Sequence, residues 1–241
     1  MPSRGPTGPT RCWGRSVAEA RGAGEVTVRS FTGGVFAENT YLVACARTGA
    51  GILVDPGAAA ADAIAAARAA GVAIGQIVLT HAHVDHVEGI PLARRELPDV
   101  PILLHRDDRQ LYGAAPMQAQ MFGLRMEPLP PVDGELVAGE SVRFGECAME
   151  IRFAPGHAPG HVILVGDGVA LVGDVIFAGS IGRTDLPGGD FATLMRSIRE
   201  QVLTLPDETT LHTGHGPDTT VGRERVNNPF VTGVYGGGGF A

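Results

Sequence analysis

Four residues with metal-binding side chains follow one another at short spacing: His81, His83, Asp85 and His86. They come directly after the apolar run at residues 77–79, which predicts a buried strand, so they lie where the chain leaves a sheet and ligand sites commonly form. In an extended chain His81 and His83 point the same way, and a turn after them would direct Asp85 and His86 to a second position nearby. This one segment could therefore serve two metal ions; the alternative is a polar loop that merely contains several histidines.

Two later histidine-bearing turns and one strand-end carboxylate are candidates for the remaining ligands. A turn of glycine and proline contains His157 and His161, and the residues alone leave open which of them binds a metal. Asp174 follows the apolar run at residues 169–172, and a buried carboxylate without a partner costs roughly several kcal/mol, so it needs a cation or open solvent. The last candidate, His215, lies in a Gly-His-Gly-Pro turn after a further strand.

The string His-X-His-X-Asp-His at residues 81–86 resembles the signature of the metallo-β-lactamase superfamily. The resemblance implies an α/β fold, a single-domain four-layer αββα sandwich with the metal ions at one edge. Relatives place a ligand at the first histidine of Pro-Gly-His-Thr-Pro-Gly, which corresponds to His157, although this chain has Ala158 at the threonine position. His161 is then expected to pack behind the ligands or to line the substrate pocket.

The resemblance also implies that Asp174 bridges two ions and that His215 is the final ligand. The first ion would bind four residues, His81, His83, His157 and Asp174. The second would bind Asp85, His86, Asp174 and His215. Such nitrogen-rich sets suit zinc and can accept iron or manganese, so we expect two divalent ions per chain, with zinc as the first expectation.

Three later stretches indicate the subfamily: residues 177–190, 216–222 and 228–230. Together they resemble bacterial single-domain glyoxalase II-like proteins (hydroxyacylglutathione hydrolases), and the likeness covers residues 25–232. It implies that a hydroxide between the two ions hydrolyses a small anionic thioester such as S-lactoylglutathione, with Asp85 and Asp174 as carboxylates of the reaction centre.

A basic residue close to the metal ligands is the expected contact for a carboxylate of glutathione. Arg183 is the candidate because its turn closely follows Asp174 and relatives have a basic residue there. The alternative is a structural ion pair between Arg183 and either Asp185 or Asp190.

Other activities of the same family stay open at this point. The Gly-Arg-Thr-Asp stretch at residues 182–185 also occurs in persulfide dioxygenases, which would bind one iron through three residues, His81, His157 and Asp174. A lactone or another ester could replace the thioester as substrate. A protein that binds metal without activity is the remaining alternative.

Composition limits the broader classes of function. The 241 residues, of which 44% are hydrophobic, suffice for one large domain, and a formal charge of -7 argues against a nucleic-acid surface. The three cysteines are far apart and indicate reduced thiols of a cytoplasmic protein. Residues 1–24 and the glycine-rich residues 233–241 are expected to be tails, with one hydrolase domain between them. We expect neither a membrane anchor nor a signal peptide, and the oligomeric state stays open.

Hydrophobic periodicity predicts a mixed α/β arrangement around these ligands. The first half is expected to contain strands at residues 26–31, 39–44, 52–54, 76–80 and 101–104, with helices at 58–70 and 86–97. Residues 106–129 are expected to form short helices or a loop. The second half is expected to contain strands at residues 141–144, 147–153, 161–165 and 169–172, and a helix at 191–205. Two such halves would stack sheet to sheet.

Overall fold

Two six-stranded sheets share a hydrophobic core in the computed structural model, which describes residues 26–235. The expected tail at residues 1–24 and most of the one at 233–241 therefore lie outside the described residues. The first sheet consists, in spatial order, of β1 (Val26–Gly33), β2 (Glu38–Cys45), β3 (Ala50–Val54), β4 (Ala73–Val78), β5 (Ile102–Leu104) and β6 (Gly134–Glu135). Its first three strands are antiparallel, whereas β3 to β6 run parallel.

The second sheet is mainly antiparallel. In spatial order it consists of β14 (Thr219–Thr220), β13 (Thr210–Thr213), β10 (Val169–Gly173), β9 (Val162–Gly166), β8 (Cys147–Phe153) and β7 (Ser141–Phe144). Strands β10 and β13 are parallel, and the other pairs are antiparallel. A separate two-stranded hairpin is formed by β11 (Ile176–Phe177) and β12 (Ser180–Ile181).

Helices cover the outer face of each sheet, which gives the four layers that the sequence predicts. They are α1 (Ala60–Ala70), α2 (Val84–Val87), α3 (Ile90–Glu96), α4 (Arg109–Met121), α5 (Phe191–Ser197) and α6 (Val221–Asn227). One outer core joins the first sheet to α1, α2, α3 and α4, and another joins the second sheet to α5. The protein is thus an αββα sandwich. None of the helices in the described part has the length and apolar character needed to cross a membrane.

Two expected helices have different limits in the structure. The helix expected at residues 86–97 is divided into α2 and α3 at Gly89, where a Cβ atom would lie 2.1 Å from the carbonyl oxygen of Gly57. This close approach brings the start of α3 against the turn after β3. The helix expected at residues 191–205 is α5 followed by a π-helical turn, Ile198–Val202.

The segment at residues 106–129 contains more regular helix than the expected short helices or loop. It forms a 3₁₀ turn, Arg106–Asp108, and then α4, a single helix of 13 residues that contains Pro116. Gly113 and Pro116 weaken the helical pattern. Burial of Tyr112 and Ala115 in the outer core that covers the first sheet compensates for this weak propensity.

Candidate metal centre

The ligand-bearing segment after β4 is anchored by an aspartate from the neighbouring strand. Asp55 follows β3 and accepts hydrogen bonds from the backbone N–H of Thr80 (2.7 Å) and from its hydroxyl (2.6 Å). Asp55 also lies 3.1 Å from Nδ1 of His86. A carboxylate bound to one ring nitrogen orients the imidazole and leaves its other nitrogen for a metal. Asp55 therefore fixes both the strand end and the direction of one ligand candidate.

A first group of candidate ligands consists of three buried histidines, His81, His83 and His157, whose ligand atoms lie within 4.8 Å of one another. Nδ1 of His83 is 2.7 Å from Nε2 of His157. Nδ1 of His157 donates to the carbonyl oxygen of Arg183 at 2.7 Å, so its Nε2 is the nitrogen that faces the group. Turn residues separated by 74 positions are thereby brought to the end of β4.

A second group lies beside the first and consists of Asp85, His86 and His215. Nε2 of His215 is 3.2 Å from the Asp85 carboxylate, and its Nδ1 donates to the carbonyl oxygen of Phe36 at 3.0 Å. The turn between β1 and β2 therefore holds the last histidine in place.

Asp174, at the end of β10, contacts both groups. Its Oδ2 lies 3.4 Å from Nε2 of His157 in the first group and 3.4 Å from Nε2 of His215 in the second, while its Oδ1 lies 3.3 Å from Nε2 of His86. Gly214 permits this position, since a Cβ atom there would lie 2.0 Å from Oδ1 of Asp174. The geometry is that of a carboxylate shared between two adjacent sites.

The two groups differ in their charge states. Burial lowers the pKa of His81 far below its usual value, and burial together with the nearby His157 lowers that of His83 to about 3. In the second group burial also acts to lower the pKa values, but Asp174 and Asp85 outweigh it. They raise the pKa of His86 well above its usual value and that of His215 to about 10. Without a cation, the first group is neutral and the second holds protonated imidazoles against carboxylates.

Unpaired buried atoms test whether metal ions fit these residues. Among the described residues, four buried side-chain atoms of the two groups and Asp174 have no partner with good hydrogen-bond geometry: Nε2 of His81, His83 and His86, and Oδ1 of Asp174. Nε2 of His86 and Oδ1 of Asp174 are 3.3 Å from each other, whereas Nε2 of His81 and of His83 have no such contact. An unpaired buried polar atom costs about 1–3 kcal/mol, so these nitrogens need a ligand. Imidazole nitrogens and carboxylate oxygens are donors that zinc, iron and manganese accept. The clusters can therefore bind metal ions.

His161 lies behind the candidate ligands, which is one of the two positions expected for it. Its side chain is fully buried and stacks on the His81 ring, with centroids 4.7 Å apart. Its Nε2 accepts the backbone N–H of Asp174 at 3.1 Å. Only the other alternative, a substrate-binding His161 that lines the pocket, is corrected, because this histidine supports two candidate ligands from behind and is not among the residues that line the cavity.

Arg183 takes the paired arrangement that was considered as its alternative role. Its guanidinium makes two hydrogen bonds of 2.7 Å to Asp185, and both side chains are more than half exposed. Arg183 nevertheless lines the cavity at the metal centre. Asp190 instead caps α5 by accepting the backbone N–H of Thr193.

Sequence reasoning missed two aspartates that hold the ligand segments. Besides Asp55, Asp108 is fully buried and accepts the backbone N–H groups of Ala82 and Gly160. It therefore links the segment of His81 and His83 to the turn of His157. A signal existed for Asp55, which ends an apolar strand as Asp174 does, but Asp108 lies among charged neighbours and has no such pattern.

An open cavity of about 320 Å³ adjoins both groups. Part of its lining consists of ligand candidates, namely His83, Asp85, His157, Asp174 and His215. Another part is apolar and consists of Phe36, Val84, Phe122, Phe177, Ile181 and Leu186. A small molecule that enters this cavity therefore meets both the metal-binding residues and an apolar wall.

Comparison with known proteins identifies the same family as the sequence motifs do. The sequence profile of the metallo-beta-lactamase superfamily matches residues 33–215. A hydroxyacylglutathione hydrolase from Haemophilus influenzae, GloC, is 37% identical over 188 residues, which cover 74% of this chain and 86% of that protein.

Two solved structures are similar over most of this chain. TTHA1623, determined in a di-iron-bound form, has a TM-score of 0.76 and 39% identity, and the match covers 84% of this chain and 99% of that chain. BLEG-1, described as a B3 metallo-beta-lactamase, has a TM-score of 0.79 and 33% identity over 86% of this chain and 100% of that chain.

Proposed function

The chain belongs to the metallo-β-lactamase superfamily, and from this premise we propose that it is a dinuclear metal-dependent hydrolase that acts on glutathione thioesters. The observation that carries the proposal is the position of Asp174, which lies within 3.4 Å of a histidine from each of the two ligand groups. GloC, which is named as a hydrolase of hydroxyacylglutathione, supports the substrate class.

The ligand set proposed for the two ions is the one that the sequence predicts. His81, His83 and His157 would hold the first ion, and Asp85, His86 and His215 the second, with Asp174 common to both. Two divalent ions, when bound, lower the pKa of water to near neutrality and polarise a carbonyl oxygen. The ions outweigh the charges of Asp85 and Asp174, so the site attracts anionic substrates although the whole chain carries a formal charge of -7.

The residues around the ions have separate tasks. Asp55 holds His86 with Nε2 turned towards Asp174, and the carbonyl oxygens of Arg183 and Phe36 orient His157 and His215 in the same way. Such contacts keep the ligands in place without rearrangement during turnover. A thioester is the favoured substrate because its thiolate leaves without a dedicated general acid.

Arg183 is proposed to bind a carboxylate of the glutathione moiety. Its present partner, Asp185, is exposed, and exposed ion pairs contribute only about 0–1 kcal/mol. Replacement of Asp185 by a substrate carboxylate as the partner of Arg183 therefore costs little free energy. The cavity position of the guanidinium supports this role.

Hydrolysis of S-lactoylglutathione by the metal-loaded protein tests the proposal. We expect thiol release with about two zinc, iron or manganese ions per chain, and loss of turnover in Asp174→Asn. Oxygen uptake on glutathione persulfide, with one iron per chain and no thioester hydrolysis, would instead support a dioxygenase. Hydrolysis of lactones without hydrolysis of thioesters would overturn the proposed substrate class and indicate a lactone hydrolase.

A further inference from the structure

An exposed apolar surface borders the second ligand group. It is formed by the turn between β1 and β2 and by the C-terminal end of α4. Four large hydrophobic side chains at these two places are strongly exposed: Val35 (74%), Met117 (62%), Met121 (79%) and Phe122 (46%). Of these four side chains, Phe122 also lines the cavity, and exposed apolar side chains beside a cavity often mark a binding surface.

Two aromatic rings join this surface to the candidate metal centre. Phe36, in the turn, packs edge to face against Phe122 at the end of α4, with centroids 5.2 Å apart. Both rings line the cavity. The carbonyl oxygen of Phe36 accepts the hydrogen bond from His215, so the same residue contributes an apolar wall and positions a ligand candidate. Phe177 extends the wall, since its ring lies 5.9 Å from the His215 ring.

The two ligand groups are each hydrogen-bonded to a different residue of the cavity lining. Arg183 is tied through its carbonyl oxygen to His157, which belongs to the first ligand group. Phe36 is tied to His215 in the second group. Asp174 lies between the two histidines. A substrate whose carbonyl carbon lies near Asp174 would thus extend one part towards a cation and the other towards aromatic rings.

We propose that Phe36 and Phe122 form a subsite for the acyl group, so that the enzyme prefers thioesters with apolar acyl chains over S-lactoylglutathione. The proposal rests on the thioester hydrolase function proposed above. It assigns the glutathione part to the side of Arg183 and the acyl part to the aromatic side. The small, hydroxylated lactoyl group would leave most of the apolar wall in contact with water.

Binding of non-hydrolysable thioethers tests the subsite independently of catalysis. S-methylglutathione and S-hexylglutathione differ by five methylene groups, and each methylene that becomes buried strengthens binding about fourfold. Because the cavity is open, we expect partial burial and a Kd for the hexyl compound at least tenfold lower. Calorimetry on the metal-loaded protein measures both values.

Two exposed phenylalanines provide a matched pair of variants. Phe122→Ala should reduce the ratio of the two Kd values to less than threefold, and Phe36→Leu is a second variant at the same subsite. Phe191 lies at the start of α5, is exposed to a similar extent (48%) and does not line the cavity. Phe191→Ala should therefore leave the ratio unchanged.

Turnover of S-lactoyl- and S-hexanoylglutathione completes the experiment. We expect a higher kcat/KM for the hexanoyl ester, and a loss of this preference in Phe122→Ala. Equal Kd values for the methyl and hexyl thioethers in the unmodified protein would overturn the subsite. Strong selection for the hexyl thioether without hydrolysis of any thioester would preserve the subsite and overturn the hydrolase proposal instead.

Discussion

Replacement of Asp108 by alanine should loosen both ligand-bearing segments at once. Its carboxylate accepts the backbone N–H groups of Ala82 and Gly160, which lie 26 and 52 residues away in the chain. Ala82 separates His81 from His83, and Gly160 belongs to the turn of His157. Asp108 does not itself contact these histidines in the hydrogen-bond network. Its effect on metal binding would therefore arise from backbone position.

The magnitude follows from the two lost hydrogen bonds. A hydrogen bond to a charged acceptor is worth about 1.5–3 kcal/mol, and desolvation of the buried carboxylate offsets part of this gain. We expect the free energy of unfolding at pH 7 to fall by about 2–4 kcal/mol, which corresponds to a Tm lower by about 4–16 °C for a domain of this size. Metal affinity should fall about 10- to 100-fold, as for other residues that orient metal ligands.

The effect of Asp108 should also depend on pH in a defined direction. Burial raises its pKa to about 6, although the backbone hydrogen bonds act to lower it. The folded protein therefore takes up this proton at a higher pH than the unfolded chain does. The stability difference between the wild type and Asp108→Ala should increase as the pH falls from 7 towards 4.

Chemical denaturation and zinc titration of the variant measure these effects, with Asp107→Ala as the control. Asp107 is the exposed neighbour in the same 3₁₀ turn, so its replacement should change neither stability nor metal affinity appreciably. Equal stability losses in the two variants would refute the proposed link. So would an unchanged zinc affinity in Asp108→Ala.

Three further predictions concern the candidate metal centre. Arg183→Ala should raise KM for S-lactoylglutathione about 10- to 100-fold with little change in kcat, whereas Asp185→Ala should not raise KM; stability loss with unchanged KM would favour a structural pair. His161→Ala should weaken zinc binding about 10- to 100-fold in a competition titration, and wild-type affinity would refute its supporting role. Zinc binding at pH 7 should release about two protons, because His86 and His215 have raised pKa values and must lose their protons. Calorimetry in buffers of different ionisation enthalpy counts these protons, and no release would contradict the charge states.

Local signals explain why much of the ligand set could be predicted from the sequence. One loop and the short helix α2 contain four of the ligand candidates, His81, His83, Asp85 and His86. Their distances in space therefore follow closely from their spacing in the sequence. Asp174 could be identified because a charged residue at the end of a buried strand needs a compensating partner. The αββα arrangement followed from the order of strands and helices and from the family resemblance.

Long-range contacts explain what the sequence did not reveal. Asp55 and Asp108 act on backbone groups 25 to 52 residues away. Asp55 ends an apolar strand as Asp174 does, but the sequence does not show which distant groups it binds, and Asp108 has no comparable signal. His161 differs from His157 only through the packing that buries it against His81. Helix α4 depends on burial in the outer core that covers the first sheet, which outweighs the weak propensity of a segment with Gly113 and Pro116.

Anomalous diffraction from crystals of the zinc-loaded protein tests the central claim most directly. The account predicts two anomalous peaks on either side of Asp174. One should be bound by His81, His83 and His157, and the other by Asp85, His86 and His215. A single peak at full zinc occupancy, or a metal bound by Asp55 or His161 in place of these residues, would contradict a dinuclear centre that shares Asp174.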